Sequence, residues 1–74
     1  MAVKNVSLKD FRKFLLHIGC ELKRTSGGHE VWTKNGLLRP VIIQTHITPI
    51  PIHIIKNNLR TIGLSMADLE AFLK

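Results

Sequence analysis

The chain has 74 residues, of which 45% are hydrophobic and 22% charged. That length points to one small domain and leaves little room for a second module or a large cofactor cleft. Eleven Lys plus Arg against five Asp plus Glu give a formal net charge of +6, which favours a polyanionic partner, with nucleic acid ahead of a membrane surface or an acidic protein. The one cysteine, Cys20, excludes an intramolecular disulfide and a thiolate zinc site within one chain.

Met1 to Ser7 contains one Lys and no apolar leader, and the longest strongly apolar stretch, Val41 to Ile43, is too short to span a bilayer. A cytoplasmic protein with no membrane partner is expected. Trp32, Phe11, Phe14 and Phe72 are its only aromatic residues, which is little material for a base-stacking platform, so contacts to phosphate and sugar are the better expectation.

From Ser7 onward, Leu8, Phe11, Leu15 and Ile18, widened by Phe14, mark the apolar stripe of an amphipathic helix. Ser7 suits the N-cap, Asp10 the positive end of the dipole and Gly19 the left-handed stop. Lys9, Arg12, Lys13 and His17 fall on the solvated side. Cys20 to Thr25 reads as a weak strand with Cys20 and Leu22 on one face. Ser26-Gly27-Gly28 permits a tight reversal, and His29 to Thr33 has the β-branched and aromatic content of a second strand.

Asn35-Gly36 is a turn signal, and Leu37 to Gln44 supplies a third strand whose Pro40, lacking a ladder donor, suggests an effective start at Val41. Thr45 to Pro51 is a connection. Ile52, Ile55, Leu59 and Ile62 then repeat the helical template, with Pro51 at the first turn and Gly63 at the end. The opposite positions, His53, Lys56, Asn57 and Arg60, form a basic and polar stripe at helical spacing. Ser65 with Asp68 resembles an N-cap pairing for a short terminal helix through Met66, Leu69, Phe72 and Leu73. The whole reads as α+β, a three-stranded antiparallel meander with helices in the order α-β-β-β-α-α.

The Ser26-Gly27-Gly28 triplet sets the imidazole of His29 at a loop-to-strand junction where another backbone, such as a phosphodiester, can approach closely. An imidazole titrates near neutral pH, which suits attack of an RNA 2′-hydroxyl on the adjacent phosphate. The remaining candidates have ordinary explanations. His17 belongs to a solvated helix face, Cys20 is a small buried filler and Trp32 belongs to the core. His46 and His53 lack the spacing of a helical metal pair.

Gly27-Gly28-His29-Glu30-Val31-Trp32, preceded by Gly19-Cys20-Glu21-Leu22-Lys23-Arg24, resembles the HicA toxin family. The similarity runs through the third strand, His46 and the second helix with Leu59-Arg60, from about Val6 to Gly63. It implies a double-stranded-RNA-binding-domain-like fold used as an mRNA interferase of a toxin-antitoxin system and held inactive by a HicB-type antitoxin. It also implies a toxin that is monomeric when free and hetero-oligomeric with its antitoxin. Two positions depart from the family pattern: Glu30 stands where many members have a second His, and Gln44-Thr45-His46 where many have Pro-x-His. The catalytic role therefore transfers to His29, with His46 as an accessory candidate.

The expected mechanism has His29 as general base or acid in cleaving single-stranded mRNA. Lys23, Arg24 and Lys34 hold phosphates, and Gly27 and Gly28 admit the backbone. The second proton carrier is left among His46, water and a second subunit. The scattered carboxylates favour metal-free transesterification with no cofactor. Glu30 can tune a neighbour but, one residue along a strand from His29, faces the other way. Between Val31 and Trp32, both apolar, the reading takes Val31 as the core residue, which puts His29 at the rim of the helix-covered face. The alternatives are a non-catalytic RNA-binding module, a degenerate toxin, and a protein-interaction module whose basic face docks an acidic partner.

Overall fold

The computed structural model describes residues 5–74; residues 1–4, part of the stretch read for a leader, lie outside the described residues. Its elements are α1 (Leu8–His17), β1 (Glu21–Ser26), β2 (His29–Thr33), β3 (Val41–Gln44), α2 (Ile52–Ile62) and α3 (Met66–Leu73). The α+β order is the expected one. The three strands form one antiparallel sheet in the order β1-β2-β3. No helix among the described residues is long and apolar enough to cross a membrane.

The caps act as their residues dictate. Ser7 Oγ accepts from the Asp10 N–H at 3.0 Å, and Ser65 and Asp68 form a reciprocal capping box at the start of α3. Pro51 sits just before α2 as its N-cap residue, and Gly63 closes that helix in the left-handed conformation. The amphipathic stripes meet in one core in which Phe11, Phe14 and Leu15 of α1, Ile55 and Leu59 of α2 and Leu69 of α3 are buried over Trp32, Val41 and Ile43. Each such side chain contributes on the order of 1.5–3 kcal/mol by leaving water. The Phe14 and Phe72 rings meet edge-on at 5.5 Å, fastening α3 to α1. An isolated bridge between Val6 and Ile50 ties the N-terminal segment to the connection ahead of α2.

The first strand differs from its expected form. It spans Glu21–Ser26, all six residues are exposed, and its pairing with β2 shifts between Leu22 and Arg24. Cys20 is buried as expected but lies before the strand, while Leu22 is exposed. The physical reason is position: β1 is a sheet edge, where charged residues and a bulge discourage pairing with another chain. At the other edge α2 packs beside β3, and Asn58 Nδ2 donates to the Ile42 carbonyl at 3.4 Å.

Candidate functional site on the open sheet face

The β1–β2 turn has positive φ at both central residues, 54° at Gly27 and 82° at Gly28. This is the requirement of the type I′ hairpin turn, which side chains with a Cβ rarely meet. The Gly28 carbonyl accepts from the Thr45 N–H at 2.7 Å and from Thr45 Oγ1 at 3.0 Å, so the turn is fastened to the end of β3. A Cβ at Gly28 would stand 3.2 Å from His46 Nδ1. The two glycines thus fix the register that pairs Ser26 with His29 and His29 with Gln44.

That register corrects the expected facing of β2. Trp32 is 3% and Glu30 5% exposed, whereas His29, Val31 and Thr33 are only partly buried. Trp32 is the core residue, and His29 lies on the open face rather than at the rim of the helix-covered one. The Glu30 carboxylate is satisfied from both sides: Arg12 donates from Nε to Oε1 at 3.1 Å and from Nη2 to Oε2, and Trp32 Nε1 donates to Oε1 at 3.0 Å. Arg12 is therefore not part of a solvated stripe; its fork reaches from α1 onto the sheet. These bonds, Arg12 first, hold the Glu30 carboxyl below the usual carboxylate range against the opposing effect of burial. The same contact raises the Arg12 guanidinium.

On the open face His29 lines a cavity of about 460 Å³ together with Ile42, Gln44, Ile47, Ile50, Pro51, His53 and Ile54. Its walls are chiefly apolar, its polar groups are two imidazoles and one amide, and no carboxylate lines it. A volume of this size suits a small molecule or one nucleotide unit. A second cavity of about 690 Å³ shares Ile42 with it and is lined in part by Arg39, Asn57, Arg60 and Thr61. The polar stripe of α2 forms one wall of both, His53 in the first and Asn57 and Arg60 in the second, while β3 forms the other.

The sequence-derived candidates separate accordingly. Arg24 pairs with Val31 and Ser26 with His29, which sets Arg24 and His29 on the same face; Lys23 stands at the bulge between Leu22 and Arg24. Lys34 follows the far end of β2, on the order of 17 Å along the chain from His29 at strand rise, and lines a different, small cavity with Glu21 and Asn35. His46 is exposed against the turn glycine and does not line the His29 cavity. The His17 ring lies 4.8 Å from that of Phe72. Burial pushes the Cys20 thiol up, which makes it a poor nucleophile. Among the described residues no three His, Cys, Asp or Glu gather as a metal site.

Sequence reasoning missed His53, Arg39 and Arg60 as neighbours of this surface. The regular spacing of His53, Lys56, Asn57 and Arg60 was the available signal, but it shows a shared helix face and not what that face adjoins. No known family model, curated protein or solved structure matches the chain.

Proposed function

We propose that the protein is a metal-independent endoribonuclease that cleaves single-stranded mRNA with His29 as an acid–base group, acting as a HicA-type toxin neutralised by a HicB-type antitoxin. The observation that carries this reading is the placement of His29 in a carboxylate-free cavity on the open sheet face of a chain with net charge +6. An imidazole there is open to a polyanion, and nothing in the cavity wall repels phosphate. The α-β-β-β-α order is compatible with a double-stranded-RNA-binding-domain-like fold. In this reading the toxin is a cytoplasmic monomer when free, and its antitoxin gains by covering the open face around His29.

The departure at Glu30 does not argue against activity. That side chain turns to the helices, where Arg12 and Trp32 hold it, so it removes nothing from the surface that His29 occupies. Arg24 flanks the reacting phosphate, and the neighbouring cavity offers Arg39 and Arg60 to phosphates further along the strand. Lys34 serves only a strand long enough to reach the other end of β2.

Incubation of a long single-stranded RNA with wild type and His29→Ala, in EDTA, tests the reading. Wild type is expected to cleave, and the variant, folded by circular dichroism, to lose about 100-fold or more of the rate. Cleavage by the folded variant at the wild-type rate contradicts it. Tight duplex binding with no cleavage by either protein supports the binding-module alternative instead.

A further inference from the structure

We infer that His53 is the second acid–base residue of this site, so that His29 and His53 act as a pair across the cavity. The inference rests on the ribonuclease reading above and supplies the group which that reading lacks. His29 enters from the second strand of the sheet and His53 from the first turn of α2, and both line the same cavity of about 460 Å³. The competing histidine, His46, lies against Gly28 at the hairpin turn and outside that lining.

Two walls are what the chemistry needs. In-line displacement at phosphorus puts the attacking and leaving oxygens on opposite sides, so the base and the acid must approach from different directions. The neutral imidazole takes the proton from the 2′-hydroxyl as the O2′–P bond forms. The imidazolium gives its proton to O5′ as the P–O5′ bond breaks. The products are a 2′,3′-cyclic phosphate and a 5′-hydroxyl end, and the two histidines finish with exchanged protonation states that solvent resets. Ile42, Ile47 and Ile54 complete the wall without adding a charged group that would compete for the transferred protons.

The test uses an oligoribonucleotide whose cleaved linkage, mapped first with wild type, is resynthesised with sulfur in place of the bridging 5′-oxygen. A thiolate leaves without being protonated, so this substrate no longer needs the acid. His29→Gln and His53→Gln, each checked for folding by circular dichroism, are expected to cleave ordinary RNA about 100-fold or more slowly than wild type. One of the two, and only one, is expected to return to within about tenfold of wild type on the sulfur substrate; that variant lacks the acid.

Wild-type rates for His53→Gln on ordinary RNA overturn the pair while leaving the ribonuclease reading intact. Equal slowing of His53→Gln and His29→Gln on both substrates also overturns it, because the loss is then one of binding or positioning. Failure of wild type to cleave any RNA overturns both readings together.

Discussion

His29 and Glu30 are consecutive residues of one five-residue strand, yet they face different solvents and obey different rules. Glu30 looks toward the helices, 5% exposed, and accepts its hydrogen bonds from Arg12 and Trp32. His29 points to the opposite face of the strand, into a cavity walled by β3 and the start of α2. The alternation of a strand thus separates stability from proposed chemistry at a resolution of one residue. A polar side chain in this hairpin is not functional because it is polar; which neighbour satisfies it decides.

The covered face breaks most completely at Trp32. Trp32→Ala deletes a core ring and removes a donor from a buried carboxylate, and is expected to cost about 3–5 kcal/mol. In a domain this small that approaches the whole stability, so far-UV circular dichroism at 25 °C should show a largely unfolded chain. A cooperative urea transition near that of wild type contradicts the placement of Trp32.

A smaller effect is expected at the ion pair. Arg12→Ala leaves Glu30 buried with one donor, but the Arg12 side chain is 40% exposed, so water moderates the loss to about 2 kcal/mol, below the ~3–5 for a fully enclosed pair. The urea midpoint reports it, and an unchanged midpoint would reduce the pair to a surface contact. The pH dependence has a definite sign. Because the folded state holds the Glu30 carboxyl below its ordinary value, its contribution is complete above the unfolded carboxylate value of ~4.3 and is lost as pH falls through the folded one. The stability gap between wild type and Glu30→Gln should therefore be constant from neutral pH to about 5 and shrink below about 4. A gap that grows on acidification contradicts the assignment.

On the open face the smallest effect belongs to the two arginines of the second cavity, Arg39 and Arg60. Arg39→Ala with Arg60→Ala should weaken RNA binding and lower the salt slope by roughly 1–2, measured by fluorescence anisotropy from 50 to 200 mM salt, with stability almost unchanged. An unaltered slope would mean that the strand does not cross Ile42 toward these residues.

Much of the frame was legible from local pattern. Ser7, Pro51, Gly63 and the Ser65–Asp68 pair mark helix ends through short-range backbone chemistry. Pro40 correctly delays the third strand to Val41. The facing of β2 was not legible, since Val31 and Trp32 are both apolar and a carboxylate beside Trp32 reads as a solvent-facing residue. Its burial rests on Trp32 Nε1 and on the charge of Arg12, which stands 18 positions upstream on another element and which local pattern does not reveal. The bulge in β1 was hidden for a related reason: Leu22-Lys23-Arg24 fits regular alternation, and only the pairing with β2 reveals the extra residue. That His53 shares a cavity with His29 was not legible either, because the two are distant in sequence and come to one cavity only through the packing of α2 beside β3.

The most direct test of the separation between the two faces compares His29→Ala with Glu30→Gln in two assays, urea unfolding and cleavage of single-stranded RNA, at a temperature where both are folded. The account predicts that His29→Ala unfolds within about 0.5 kcal/mol of wild type yet cleaves RNA about 100-fold or more slowly, while Glu30→Gln unfolds earlier yet cleaves at close to the wild-type rate. Loss of cleavage in folded Glu30→Gln, or full cleavage by His29→Ala, would contradict it.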